Sequence, residues 1–517
     1  MTILWVDDEI HHLKSHIRFL EKRGFRVLTA SGGMEALDIL RDNRVDLVLV
    51  DQMMVGMDGL ETIARMRAHY HAIPVVMVTQ SEEEELMDTA ISGQVDDFLT
   101  KPVNPSQILL VVKKLLMGRR LKTRKAVREM VNSAARLMEM KSQGMDLDDW
   151  KDFYGSWVER DVAFDGDVAD EMRSLDRQHF LEMEHDFSKF IEENYPKWIA
   201  MGTEEQPLMS HNLLEKVVVP LVRRSSELVL MVIDCMRFDQ WLTMSSILEK
   251  WFYVENSFML AVLPSATPYS RNSIFSGLLP RDIWRFHRRL WNEQIGDPGL
   301  NRHEGFFLGE ALKRLGCERN VRPDYVKVSN RREGEMLLHS LSKYLRDGFL
   351  AIVVNYIDHL THGRSELDLI RDLAPDVASF RKLAETWFRS SFLRELFHTL
   401  AARGTTVVVT SDHGSVCTAR ETRIHGRGVS GSIRFRFGVT VSADPKAVVI
   451  TDDPAAWGLP NNRPGKKYLF ARSDYFMMFP GMSREEMIKF RNTFQHGGTS
   501  MEEMLVPCVV MKPKAVK

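Results

Sequence analysis

The chain has 517 residues, with 69 Lys and Arg against 71 Asp and Glu, so its formal charge is −2 and no global field favours nucleic acid or an anionic membrane surface. The opening stretch MTILWVDDEIHHLKSH has no basic segment leading into an apolar core, and apolar runs such as ELVLMVIDCM are only strand-length; neither a secretory leader nor membrane insertion is expected, and the protein reads as cytoplasmic. Cys235, Cys317, Cys417 and Cys508 are widely scattered, which fits neither a disulfide framework nor a Cys-rich zinc site.

At roughly 150 residues per domain the length predicts about three domains. In the first, residues 1–118, the runs TILWV, FRVLT, VDLVLV, PVVMVT and DDFLT predict five strands, separated by stretches of helical spacing such as GMEALDILRDN and GLETIARMRAH. This alternation predicts a parallel sheet with helices on both faces, whose chemistry gathers outside the carboxyl ends of the strands. Those ends carry Asp7 and Asp8, Asp51, Thr79 and Lys101. Three converging carboxylates repel one another unless a cation intervenes, and a hard ion such as Mg²⁺ suits oxygen ligands. Asp51 can then attack a phosphoryl donor while Lys101 neutralises developing charge and Thr79 donates to the new phosphoryl oxygens.

This set resembles the response-regulator receiver family, with a flavodoxin-like fold: DD at 7–8, DQMMVGMDG from Asp51 to Gly59, Thr79 and KP at 101–102. The resemblance implies that Asp51 is the phosphoacceptor, that Asp8 and Asp51 bind Mg²⁺ with Asp7 assisting, and that Phe98 is the aromatic switch residue beside Thr79 and Lys101. Val55 stands where receivers usually have Pro. The run EEEE at 82–85 reads as the first turn of a helix, where negative charge meets the positive end of the dipole.

Residues 119–206 read as a helical coupling bundle. One apolar stripe holds Val127, Met130, Val131, Ala134, Leu137 and Met138, a second Trp150, Phe153, Tyr154 and Trp157, and a third Phe180, Leu181, Phe187, Phe190 and Ile191 before Pro196. The basic residues Arg119, Arg120, Lys122, Arg124 and Lys125 read as a solvated helix face, because no helix-turn-helix pattern follows; sequence-specific DNA binding is not expected.

In the third domain, residues 207–517, strand-like runs again end in polar residues: ELVLMVID at Asp234, LAIVVNYID at Asp358, and TTVVVTSDH at Asp412 and His413. Near the C-terminus FQHGGTSMEEMLVP places His496 before two glycines. Aspartates gathered in a dry cleft are costly unless paired or metal-bound, and a His–carboxylate mixture suits Zn²⁺. Two cations held close together clamp a phosphate ester, and a hydroxyl becomes a competent nucleophile when coordination lowers its pKa. Ser265, Thr267 and Ser270 are the candidate hydroxyls in LPSATPYSRNSIFSG. Arg271 and Asn272 are placed to contact phosphate oxygens, and the Gly-rich basic stretch from Arg420 through Arg427 to Arg434 and Arg436 to admit a second anionic group.

The motifs IDCMRFDQW, PSATPYSRNSIFSG, NYIDHLTH, TSDHG and HGGTSMEEMLVP resemble, in that order, the PglZ branch of the alkaline phosphatase superfamily. The resemblance implies an alkaline-phosphatase-like α/β domain with two Zn²⁺, one held by Asp358, His362 and His496 and the other by Asp234, Asp412 and His413, with Thr267 as the bridging nucleophile. His359 rivals His362, and His425 is a further candidate contact. The joint architecture is similar to the PorX group of response regulators, associated with type IX secretion in Bacteroidetes. It implies a sensor histidine kinase, homodimerisation on phosphorylation, and a zinc-dependent phosphodiesterase acting on nucleotides or oligonucleotides. The rival reading is a metal-stabilised interaction module that docks a kinase, sigma factor or secretion component without catalysis.

Overall fold

The computed structural model describes residues 1–67, 70, 73–79, 95–116, 144–163, 170–295, 302–317, 324–366, 373–478, 482 and 488–514. The acidic run 82–85, the basic residues 119–125 and the apolar stripe from Val127 to Met138 lie outside them. The chain divides into two compact units, Met1–Met138 with Ala163–Arg173, and Glu139–Val162 with Ser174–Lys517.

The first unit is built on five strands: β1 (Thr2–Val6), β2 (Arg26–Ala30), β3 (Leu47–Asp51), β4 (Val75–Thr79) and β5 (Asp97–Thr100). All are parallel, in the order β2-β1-β3-β4-β5. Because successive side chains point to opposite faces, each strand feeds two cores. Leu4, Val6, Val48, Val50, Val75 and Met77 pack on one face with Ala36, Leu40, Ile63 and Met66. Ile3, Trp5, Leu47, Leu49, Val76 and Val78 pack on the other with Leu20, Ile108, Val112 and Leu116. Both faces are therefore covered, which is why the strands read as nearly continuous apolar runs. The strand order reverses direction between β1 and β3, and the cleft at that switch point receives the ends carrying Asp7 and Asp51.

In the second unit the central sheet runs β7 (Phe252–Tyr253), β19 (Leu505–Pro513), β11 (Thr406–Thr410), β6 (Leu228–Ile233), β10 (Phe349–Val354) and β9 (Asp324–Val328), with β8 (Phe258–Leu260) also pairing β19. Strands β11, β6, β10 and β9 are mutually parallel, whereas β19 is antiparallel to β11. Every residue of β6 and of β10 is buried, each large aliphatic side chain contributing about 1.5–3 kcal/mol of gross stabilisation. The chain leaving β10 turns into a helix at Tyr356, so Asp358 lies in a first helical turn rather than on the strand.

A second sheet follows, ordered β15 (Val448–Thr451), β16 (Lys466–Ala471), β14 (Phe435–Ala443), β13 (Arg420–Gly431) and β17 (Tyr475–Met478). The Gly-rich basic stretch, read as a loop, is the β13–β14 hairpin, with register shifts between His425 and Arg427 and between Arg427 and Ser430.

Two long helices pack against this unit, α1 (Leu147–Ala163) and α2 (Asp170–Ala200). Their aromatic stripes interlock: Trp157 stacks on Phe180 at 3.6 Å between centroids, and Trp150 meets Phe187 edge-on at 5.5 Å. Tyr154 in turn reaches Phe258 of β8 at 5.7 Å, seating the pair beside the central sheet. Helix α2 runs through Pro196 to Ala200, where the sequence pattern had its stripe end before that residue. The ring removes one intrahelical bond, but Tyr195 and Ile199 are buried on either side, and packing outweighs that loss.

Candidate metal centres and their surroundings

In the first unit, β1, β3 and β5 bring Asp7, Asp51 and Lys101 together. Lys101 Nζ donates to Asp51 Oδ2 at 2.8 Å and lies 3.4 Å from Asp7 Oδ2. Carboxylate oxygens of Asp7, Asp8 and Asp51 all lie within 4.8 Å of one another, a donor set that suits a hard divalent cation. Burial raises the pKa of Asp51 against the opposing influence of Lys101. Burial is also the largest influence on Lys101, pulling it down, but the bonds and charges of Asp51 and Asp7 carry it net upward. The Thr79 hydroxyl donates to Oε1 of Gln52, the residue after Asp51. Phe98 is half-buried against the apolar cluster under β3 and β4. Gly59 has a reason to be glycine, since a Cβ there would collide with the carbonyl oxygen of Asp51. Val55 is exposed, and its backbone N–H donates to Asp8 Oδ2 at 3.2 Å, a bond that a proline could not make.

The second centre forms where β6 and β11 end side by side. Their parallel register pairs Thr410 with Val232, so Asp412 and Asp234 emerge as neighbours beyond it. Helix α3 (Thr267–Ser276) starts at the same edge. Thr267 Oγ1 lies 3.0 Å from His413 Nε2. The other ring nitrogen, Nδ1, lies 2.9 Å from the Gly414 carbonyl, which only accepts; Nδ1 therefore carries the proton and Nε2 presents its lone pair. His413 Nε2 stands 3.9 Å from Asp234 Oδ1 and 3.8 Å from Asp412 Oδ2. Those two oxygens are buried and have no hydrogen-bond partner. Two orphaned carboxylate oxygens facing an imidazole lone pair fit a divalent cation with N/O preference, and the three ligand atoms lie within 4.8 Å of one another.

Asp358 and His496 are brought to the same place. A short ladder, β12 (Val416–Cys417) with β18 (Phe494–Gln495), pairs Val416 with Gln495 and so sets His496 opposite the segment leaving His413. The two imidazoles stack at 4.1 Å. Asp358 is half-buried; after burial itself, its charge and those of Asp234 and Asp412 are the largest influences raising the Cys235 thiol. His362 falls on the same helix as Asp358, and its side chain lies outside what the structure describes; His359 and His425 are exposed. Of the three hydroxyls, Ser265 donates to the Gly498 carbonyl and Ser270 to the Val262 carbonyl, leaving Thr267 facing His413.

Arg271, expected at the phosphate, is instead buried one helical turn behind Thr267. Its Nη1 donates to Asp234 Oδ2 at 2.5 Å and its Nε to Glu304 Oε1 at 2.5 Å. Glu304 also accepts from Tyr325. The guanidinium is thus a built-in countercharge to the ligand carboxylates. The buried Asn272 donates to the Pro268 carbonyl at 2.8 Å, within its own helix. Arg434, read as an anion contact, is fully buried and clamps Glu503 with two nitrogens, while Arg420 pairs with Asp474. Glu304 and Glu503 escaped the sequence reading, because nothing local marks a carboxylate as the partner of a buried arginine.

A cleft of converging carboxylates and a lysine in one unit and a His–Asp cluster beside a helix-opening threonine in the other define a receiver joined to an alkaline-phosphatase-like domain. The chain belongs to the PglZ family: the BREX system PglZ alkaline phosphatase-like domain matches residues 213–511. A response regulator receiver domain matches residues 3–113 and a PorX response regulator linker domain residues 120–199, the architecture of PorX-type response regulators. Among curated relatives, the transcriptional regulatory protein SrrA of Staphylococcus aureus is 33% identical over 114 residues, 22% of this chain and 47% of the relative. The chain therefore spans about half the length of the curated relatives it matches. Among solved structures, chemotaxis protein CheY4 of Vibrio cholerae is 30% identical, covering 22% of this chain and 98% of that one, with a TM-score of 0.21. A CheY-like receiver domain protein from Methanospirillum hungatei is 28% identical, covering 23% and 94%, with a TM-score of 0.22. No described helix is long and apolar enough to cross a membrane.

Proposed function

We propose that the second unit is a zinc-dependent phosphodiesterase with Thr267 as nucleophile, and that phosphorylation of Asp51 governs it. The observation that carries this reading is the Thr267 hydroxyl 3.0 Å from His413 Nε2, beside two buried carboxylate oxygens with no hydrogen bond. Asp234, Asp412 and His413 would hold one cation and Asp358, His362 and His496 the second; bound there, they would supply charge neutralisation for phosphate and a lowered hydroxyl pKa. Thr267 Oγ attacks phosphorus, its proton is released, and the ester oxygen departs as an alcohol once protonated. Water then cleaves the phosphothreonine, restoring the hydroxyl and releasing a phosphomonoester from a diester. The start of α3 lies under the attacking oxygen, where the helix dipole favours the negative charge gathering on phosphate. Burial raises the pKa of Asp234, and Arg271 opposes that rise while holding the carboxylate in place.

The likeness of TPYSRNSIFSG to nucleophile segments of nucleotide phosphodiesterases supports a nucleotide or oligonucleotide diester over a small monoester. The linker match supports a place in type IX secretion control, with a sensor kinase upstream, homodimerisation on phosphorylation, and a sigma factor or secretion component as partner. Hydrolysis of bis-p-nitrophenyl phosphate by zinc-loaded protein, with and without a small phosphoryl donor, tests the reading. Turnover that disappears in Thr267→Val at unchanged zinc content supports it; no turnover by the wild type in either state rejects it.

A further inference from the structure

The buried side of helix α2 carries an apolar stripe, Phe180, Met183, Phe187, Ile191, Tyr195 and Ile199, at three- and four-residue spacing. Two polar residues interrupt it, Glu184 at 1% exposure and Ser188 at 0%. A carboxyl group and a hydroxyl at such depth are costly unless each meets a partner, and both do. The Glu184 carboxyl accepts the backbone N–H of Met501 at 3.0 and 3.1 Å. The Ser188 hydroxyl donates to the Thr499 carbonyl at 3.1 Å and accepts from the Thr499 hydroxyl at 3.2 Å. Two turns further along, the Tyr195 hydroxyl oxygen accepts the backbone N–H of Leu263 at 3.0 Å.

These backbone groups are not scattered. Thr499 and Met501 follow His496 within five residues, and Leu263 precedes Thr267 by four. The two loops also bind each other, since Gly497 N–H donates to Ser265 Oγ at 3.2 Å and that hydroxyl donates to the Gly498 carbonyl at 2.9 Å. Arg177, on the same helix, adds an ion pair to Glu502 at 3.2 Å. Positions 184, 188 and 195 lie on one helix face, spanning about 16 Å at 1.5 Å per residue.

We propose that Glu184, Ser188 and Tyr195 are positioning residues of the hydrolytic site: helix α2 sets the His496 loop and the Thr267 loop together, through side chains that grip their backbones. This rests on the phosphodiesterase reading for its kinetic consequence, but not for its structural one. A rigid grip on both loops from one helix means that displacing the helix moves ligand and nucleophile in concert, which makes it the natural control element of the site. An error of one ångström in such placement costs up to ~100-fold in rate.

The test combines hydrogen exchange with kinetics on the full-length protein, using Glu184→Ala, Glu184→Gln, Tyr195→Phe and the exposed-face control Glu193→Gln. Glu184→Ala should raise exchange across residues 497–501, and Tyr195→Phe across 262–266. Both should lower kcat on bis-p-nitrophenyl phosphate by ~10- to 100-fold at nearly constant KM. Glu184→Gln keeps an oxygen that accepts the Met501 N–H and should retain activity within about threefold, as should the control. Unchanged exchange in both loops overturns the proposal, as does a Gln variant as impaired as the Ala variant. Should Glu184→Ala fail to fold, Tyr195→Phe and Glu184→Gln decide the matter by the same criteria. Wild-type protein that hydrolyses no diester rejects the phosphodiesterase reading, while the exchange data still judge the grip on the loops.

Discussion

The hydroxyl of Thr267 and the Nε2 of His413 are 3.0 Å apart although 146 residues separate them in the chain. The Gly414 carbonyl fixes the tautomer that makes this contact, and Gly414 itself admits no side chain, since a Cβ would collide with the Glu502 carbonyl oxygen. Thr267→Val removes the attacking oxygen at almost constant volume. Turnover of a chromogenic diester should fall at least ~10³-fold with thermal stability nearly unchanged, whereas Thr267→Ser should keep measurable activity.

Cation binding should be visible without any substrate. Zinc at 100 times its dissociation constant stabilises a folded protein by about 2.7 kcal/mol, so the wild-type unfolding midpoint should rise on zinc addition and fall back with chelator. Asp412→Ala removes an oxygen of the cluster and should lose both the zinc shift and bound metal measured by elemental analysis. Equal stabilisation of the two proteins would place the cation elsewhere.

At the receiver, Asp51→Asn should abolish labelling by a radioactive small phosphoryl donor in Mg²⁺. Lys101→Met removes the ammonium now 2.8 Å from Asp51 and should slow labelling by ~10²-fold or more without unfolding the sheet. Rapid labelling of Asp51→Asn would move the acceptor to another residue.

Breaking the Arg434–Glu503 pair leaves a carboxylate buried at 0% exposure with its main countercharge gone. Arg434→Met should therefore cost about 3–5 kcal/mol in urea unfolding of the second unit. Glu503 also accepts from Gly498 N–H at 2.9 Å and from Ser500 Oγ at 2.6 Å, so zinc affinity should weaken in the same variant.

His211 supplies a pH test away from both centres. Burial, with smaller contributions from Lys216 and Arg281, lowers its pKa from 6.5 to about 4. Its Nε2 lies 2.9 Å from Gln206 Oε1, while Nδ1 is buried with no acceptor for a second proton. The unfolded chain binds that proton more readily, so this contribution is fully present above pH about 6.5 and is lost as the pH falls toward 4, by up to about 3 kcal/mol. Comparison of wild type with His211→Gln by urea unfolding at pH 7 and pH 5 should show a smaller acid loss in the variant.

The strands and their acidic ends could be read from the sequence because short continuous apolar runs and strand-terminal polarity are local signals. All five receiver strands lie within a residue or two of the apolar runs that predict them, and Asp234, Asp412 and His413 follow their strands as the pattern requires. What a side chain does at long range was not legible. Arg271 looked like a phosphate contact because it follows Thr267 closely, yet its helical turn carries it inward to Glu304. Arg434 looked like an anion contact because it lies in a Gly-rich basic stretch, yet it is buried against Glu503. The roles of Glu184 and Ser188 had a faint signal, polar residues within an apolar stripe, but their partners lie more than 300 residues away.

Strand β19 lies inside the sheet, between β7 and β11, although it is built from residues 505–513. A nascent chain that has emerged only as far as Asp412 already carries Asp234, Thr267 and Asp412, but has an open strand edge and no His496. The proposed two-cation cluster therefore cannot be completed until the last strand-forming segment has been made. On the phosphodiesterase reading, a chain ended before this segment would carry a receiver without a competent output rather than an unregulated enzyme.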